Sequence, residues 1–493
     1  MRVLIFHGYL LGGTGSNIYN LSLARALAGL GHEVHLVCQE RHPAGLHLPE
    51  AITVHNPDIG RILPVYVADE YVGFDAVPFL ELSDEDLKHY LDANVEAVAE
   101  VVRSARPDVA LANHLIMGPA ILHRALGTEV PYAVKVHGSA LEYTVRPAPA
   151  RFLPYATEGL SGARCVLVGS LHTAKSLWEV VGDDRLPART RLGPPGVDVH
   201  AFRPRPVAEA GIALERLAGR LEGADAAGWG GETGAAEALR SLDPGRDRIV
   251  SYVGKLIVSK GVDLLLAAWP LVVAQVPDTR LCVVGFGTYR ATLGDMVEAL
   301  AAADLEALRT IAARGRELEG GPAGELSHLA AFLDGLEGGR REAYLAAAGP
   351  AAQRVVFTGR LEHEDLPDLL SACEAQVVPS TFPEAFGMVA AEAAACGALP
   401  LSAAHSGLAE VTTTLAGALE RDLRDLLCFD VGPGAIEAIA DRLVRWLTLP
   451  PGQRARAAAS LADLARRTYG WESVADGVIA AAQGRLDSLP APG

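Results

Sequence analysis

The densest run of chemistry-bearing residues is Pro379-Ser380-Thr381-Phe382-Pro383-Glu384-Ala385-Phe386-Gly387-Met388, continuing into Val389-Ala390-Ala391-Glu392-Ala393-Ala394-Ala395-Cys396-Gly397. A strand ending at Pro379, a loop, and a helix beginning near Gly387 would aim free N–H groups and a positive dipole end at an anion. Glu392 falls among small apolar residues, so its helix is expected to be buried. A buried carboxylate needs donors, and the paired hydroxyls of a sugar would serve. A solvated glutamate is the plain alternative.

Two lysines stand beside glycines at the end of another apolar run, in Val253-Gly254-Lys255 and Ser259-Lys260-Gly261. Ammonium groups so placed would clamp a diphosphate and neutralise charge on a departing phosphate. Surface lysines with no task are the ordinary reading, but lysine is sparse in this chain. His7, His114 and His137 each follow a strand-like run. Together they could hold zinc; singly they are hydrogen-bonding neighbours of a substrate or a loop carbonyl. His137, followed by Gly138, is the one to single out. Gly12-Gly13-Thr14-Gly15-Ser16 lets backbone approach a ligand before a helix. It is not a clean GxGxxG with an acidic ribose ligand.

These groups need a frame that brings strand ends together. Apolar runs at 2–6, 33–37, 108–112, 132–136 and 164–168 alternate with helical patterns, one of them from about Asn17 to Gly29. The rhythm restarts after 245, with runs at 248–253, 280–284, 354–358, 375–378 and 398–401. Strand, helix, strand in that order means parallel sheets with right-handed crossovers. An α/β fold of two similar units follows, and 493 residues, half of them apolar, suit two domains plus insertions. Ligands of such sheets sit beyond the carboxyl ends of the strands.

Residues 205–245, with Gly228-Trp229-Gly230-Gly231, and 290–350, with breaks at Gly320-Gly321-Pro322 and Gly338-Gly339, read as inserted decorations. Asp84-Glu85-Asp86 looks like a metal-binding DxD, but Ser83 with Asp86 three residues on is also a helix cap. With 43 basic against 60 acidic residues, nucleic acid is not an expected partner. The acidic total also argues against docking on anionic membranes, while leaving room for a local basic patch. Six scattered cysteines form no CxxC pair and read as buried thiols in a reducing compartment. The run 3–6 is too short for a signal peptide and no stretch approaches a membrane span, so a cytoplasmic protein is expected.

Taken in order, these motifs resemble glycosyltransferase family 4, the retaining enzymes of the GT-B fold. Glu384 and Glu392 reproduce its E-x7-E spacing, and Gly254-Lys255 with Lys260-Gly261 is similar to its GR…KG pattern. Val356-Phe357-Thr358-Gly359 looks like its VxFxG strand, Pro195-Gly196-Val197-Asp198 its PNGVD turn, Gly31-His32-Glu33-Val34 its GHEV turn, and Tyr469-Gly470-Trp471 the entry to its last helix. The resemblance implies two Rossmann-like domains facing each other across a cleft that holds the transfer site. It implies an acceptor domain over 1–200, a nucleotide-sugar donor domain over 245–470, and a C-terminal helix over 471–490 crossing back to the first domain.

The resemblance also implies roles. Lys255 and Lys260 would hold the donor diphosphate, though lysine lacks the planar fork of the family's usual arginine at the first position. Glu392 would bond the ribose hydroxyls. Glu384 and the backbone of Phe386, Gly387 and Met388 would hold the donor sugar. Gly15 matches the second glycine of the family's N-terminal loop, and His137 its acceptor-side histidine. No cofactor or metal is implied; the donor is a nucleotide-diphosphate sugar and the acceptor a small molecule or glycan. The loops 64–92 and 138–152, where acceptor choice would lie, contain no readable code. An epimerase of the same fold, a non-catalytic nucleotide-sugar binder and a nicotinamide dehydrogenase are the rival readings. The last leaves the motifs of the second unit unexplained.

Overall fold

The computed structural model describes residues 1–12, 15–66, 73–223 and 234–492. Gly13 and Thr14 of the glycine-rich loop, residues 67–72 of the 64–92 loop, and Gly228-Trp229-Gly230-Gly231 lie outside them. Val3-Leu4-Ile5-Phe6 is buried on both faces, the signature of a central parallel strand. It forms β1 (Arg2–Phe6), followed by β2 (Glu33–Val37) and β3 (Ile52–His55); β4 (Ile62–Val65) and β5 (Asp75–Pro78) pair separately. Then come β6 (Val109–Asn113), β7 (Tyr132–Val136), β8 (Cys165–Val168) and β9 (Thr190–Leu192). All are parallel, in the order β3-β2-β1-β6-β7-β8-β9.

The second sheet is built from β10 (Arg248–Val253), β11 (Thr279–Val284), β12 (Val355–Gly359), β13 (Ala375–Val378), β14 (Leu399–Ala403) and β15 (Cys428–Phe429), in the order β12-β11-β10-β13-β14-β15. Strand order reverses beside β1 in one sheet and beside β10 in the other. Such switch points leave a crevice at the carboxyl ends of the flanking strands, where ligands of this architecture bind.

The chain divides into two compact units, Met1–Gly196 with Tyr469–Gly493, and Val197–Thr468. In the first, the helix Trp471–Ala482 buries Val474, Ala475, Val478 and Ile479 against the helix Gly15–Gly29 and the strands. In the second, the helices Val207–Gly223 and Ala235–Arg240 pack on each other. Arg205 and Arg220 pair with Asp368 at 2.5 and 3.0 Å. The segment 290–350 is largely helical: Arg290–Ala301, Leu305–Arg314, Ser327–Asp334 and Gly338–Ala352. Gly338-Gly339, read from sequence as a break, opens the last of these helices. Ser83 Oγ accepts from the Asp86 N–H, and Asp84 pairs with Arg151, so the acidic triplet starts a helix. None of the six cysteines is disulfide-bonded. No described helix is long and apolar enough to cross a membrane.

Candidate active site

In the Val197–Thr468 unit the loops after β10 and β13 are stitched together. The Thr381 N–H donates to the Ser259 carbonyl at 2.9 Å. Gly261 turns at φ 66, where a Cβ would lie 2.0 Å from the Pro379 carbonyl oxygen, so only glycine permits this approach. The seam brings Lys260 and Glu384 together: Lys260 Nζ donates to Glu384 Oε1, and Ser380 Oγ donates to the same oxygen at 2.6 Å. The turn after β14 holds Glu384 from behind. Its N–H donates to Ser406 Oγ at 2.8 Å, and its carbonyl accepts from the Gly407 N–H at 2.9 Å. His405 Nε2 donates to the Ser380 carbonyl at 2.7 Å.

Lys255 is exposed and makes no ion pair with any described residue. Gly387 has φ 110 and no side chain to cap the helix Met388–Ala395, so the start of that helix presents N–H groups. The sequence expectation of a helix beginning near Gly387 is met within one residue.

Glu392 is 2% exposed in that helix, and its carboxylate has a protein donor: His363 Nε2 bonds Oε1 at 2.8 Å. The sequence argument gave both hydrogen bonds to a sugar; one belongs to the protein. The other oxygen has no partner among the described residues. Burial alone would hold the His363 imidazole neutral. The bond to Glu392, its charge and that of Asp198 overcome burial and raise the pKa above the usual 6.5. The ion pair therefore stabilises the fold in full below about pH 6.5, and its contribution is lost as pH rises through the higher folded-state value. The gap in melting temperature between wild type and His363→Gln should narrow from about pH 6 to about pH 8.5. His363 is more than a third exposed, so screening keeps the effect small. A gap that stays flat or widens would remove the ion pair.

The N-terminal unit gathers its polar groups beyond β1, β6 and β7. His7 Nε2 faces the Leu10 carbonyl at 3.1 Å and Asn17 Oδ1 at 2.9 Å. A carbonyl only accepts, so Nε2 carries the hydrogen, and Nδ1 accepts from Asn20 Nδ2 at 2.9 Å. Asn20 Oδ1 then accepts from Asn113 Nδ2 at 2.7 Å, and Asn113 Oδ1 from His137 Nε2 at 2.8 Å. At the far end Asn17 Nδ2 donates to the Gly12 carbonyl at 2.6 Å. One directed chain thus runs from the glycine-rich loop to His137 and leaves Nδ1 of His137 as an acceptor. Burial, with His114 and Lys135 nearby, holds the His137 pKa well below the ordinary value, and burial brings His7 down to about 4. Lys135, lowered by burial to about 7, donates to the Gly193 carbonyl.

His114 is buried at φ 68 with neither ring nitrogen bonded, its ring 5.0 Å from that of His137. The three imidazoles do cluster, but His7 spends both nitrogens on asparagines and a carbonyl. No group of three metal-ligating side chains forms among the described residues. Gly15 opens the helix Gly15–Gly29 and is exposed.

Two domain families match this chain. Residues 14–196 match a glycosyl transferase 4-like domain, and residues 334–460 match the glycosyl transferases group 1. This protein is a group 1 glycosyltransferase of the family 4 type. D-inositol 3-phosphate glycosyltransferase of Frankia alni is 26% identical over 477 residues, 94% of this chain and 93% of its own. The protein of that name from Mycobacterium tuberculosis strain H37Ra is 26% identical over 94% of this chain and 78% of its own. Among solved structures, sucrose-phosphate synthase from Thermosynechococcus elongatus superposes with a TM-score of 0.57 at 20% identity, covering 99% of each chain. Anabaena HepE in complex with UDP and glucose gives 0.54 at 18%, covering 99% of this chain and 100% of its own. These likenesses place the fold as GT-B.

Several residues of the glycosyltransferase's candidate site escaped sequence reasoning: Ser380, His363, His405, Ser406, Asn17, Asn20 and Asn113. His363 and His405-Ser406 follow β12 and β14, so the strand-end rule that found the lysines would have found them too.

Proposed function

We propose that this glycosyltransferase moves a sugar from a nucleoside-diphosphate donor to an acceptor hydroxyl with retention of anomeric configuration and without a metal ion. The observation that carries the reading is the joined Lys260–Glu384 pair at the ends of β10 and β13, beside the uncapped start of the helix Met388–Ala395. An ammonium has three donors, so Lys260 can keep Glu384 and still bond a phosphate oxygen. Lys255, Lys260 and the helix N-terminus offset charge as the sugar–phosphate bond breaks. Glu384 and the backbone at Phe386, Gly387 and Met388 hold the donor sugar, and Glu392 the ribose. The acceptor oxygen attacks from the face the diphosphate leaves, and its proton goes to the departing phosphate. His137, neutral with Nδ1 open, orients that hydroxyl.

D-inositol 3-phosphate is the first acceptor to try, because relatives carry it in their names. Incubation with sugar nucleotides should yield an acceptor product of unchanged anomeric configuration by NMR. An altered donor in reactions lacking acceptor would favour the epimerase, and inverted product would end the retaining mechanism.

Transfer should keep its full rate after exhaustive chelation. Activity lost to chelator and restored by a divalent ion would revive the histidine cluster or the acidic triplet as ligands.

A further inference from the structure

The loop carrying both lysines is fixed from a place the reaction scheme does not use. Glu319 belongs to the short turn Arg316–Glu319 within the 290–350 insertion. Its Oε2 accepts from the Val258 N–H at 2.7 Å. Val258 opens the turn Val258–Lys260, whose preceding residue Ile257 supplies no side-chain cap. The first N–H of such a turn is an orphan donor, and Glu319 reaches across 61 positions to satisfy it.

Glu319 has a rigid base. Asp304 caps the helix Leu305–Arg314 with bonds of 3.0 Å to the N–H groups of Glu306 and Ala307. The turn is closed by Arg316 N–H to the Gly324 carbonyl at 3.2 Å and Gly321 N–H to the Arg316 carbonyl at 2.9 Å. Arg316 Nε lies 3.3 Å from the other carboxylate oxygen, and the Glu319 side chain is only 10% exposed. A carboxylate spent on solvent would not be held this way.

On its other side the lysine loop is tied to the segment after β11. The Leu256 N–H donates to the Phe286 carbonyl at 2.8 Å, and the Tyr289 N–H to the Leu256 carbonyl at 3.0 Å. Between Lys255 and Lys260 the backbone is therefore held from three sides: by the segment after β11, by Thr381 on the Ser259 carbonyl, and by Glu319 of the insertion. Cations that stabilise a leaving group work only when held in place. We infer that the insertion is a working part of the donor site, with Glu319 the positioning residue that fixes the loop bearing Lys255 and Lys260. Glu319 lies outside both matched domains. The inference rests on the donor reading above.

The test compares Glu319→Ala with Glu319→Gln, which keeps an oxygen able to accept from Val258. In Glu319→Ala kcat/KM for the donor should fall about tenfold, the effect of losing one charge-assisted hydrogen bond. The acceptor KM and the melting temperature should stay near wild type, and Glu319→Gln should recover most of the loss. Amide exchange over 255–260 should quicken in the alanine variant alone, with the helix Leu305–Arg314 still protected. Unchanged exchange, or faster exchange with unchanged donor kinetics, overturns the proposal. So does an equal loss in both variants, or a global loss of protection. Wild-type protein that binds no nucleotide sugar would instead sink the donor reading, and the exchange result would still decide whether Glu319 holds the loop.

Discussion

Replacing Lys260 with alanine is expected to slow sugar transfer by a factor on the order of 10² or more, as removal of other preorganised charge stabilisers does. The loss should fall mainly on kcat, because in the proposed mechanism the lysine would act most strongly on charge that develops as the diphosphate departs. Folding should survive. Glu384 keeps its bond from Ser380 and both backbone anchors to the 406–407 turn. Its side chain is also 23% exposed, so water can solvate the released carboxylate. Steady-state kinetics beside thermal melting decide the matter. Near-normal turnover in a folded variant would take Lys260 out of the site.

Glu392→Gln is expected to weaken donor binding by about 1–3 kcal/mol. The amide keeps the size and one acceptor oxygen but loses the charge that strengthens each bond. Because His363 already donates to one oxygen, stability also has a stake. A neutral imidazole can still donate to the glutamine oxygen, so the melting temperature near neutral pH should change little. The imidazole should also lose the upward push on its pKa, which would show in its NMR titration. Unchanged donor affinity with a large loss of stability would make Glu392 a partner of His363 and nothing more.

The central strands were legible because they are covered on both faces and read as unbroken apolar runs. All ten expected runs are strands, within a residue or two at their ends. Three edge strands were not. Ile52–His55, Thr190–Leu192 and Cys428–Phe429 run for only four, three and two residues, too short for a periodic pattern to stand out. The charged half of the candidate site was readable from glycine-flanked lysines and from a glutamate stranded among alanines. The neutral half was not, since an asparagine in a helix has the look of surface. Asn20 in fact shares a helical face with Leu23 and Leu27, and all three are buried; that periodicity was the available clue. Glu319 had no clue at all, because its partner is a backbone N–H that sequence does not display.

The asparagine chain behind His137 has a consequence for proton traffic. A carboxamide passes hydrogen bonds along but neither takes up nor releases a proton at neutral pH. Asn113 and Asn20 therefore insulate His137 from His7, and nothing accepted at Nδ1 can drain toward the glycine-rich loop. Burial, with His114 and Lys135 alongside, also makes an imidazolium at His137 unfavourable. That imidazole is a blind end: under the proposed mechanism it would aim an acceptor hydroxyl without taking its proton, which would go to the departing phosphate.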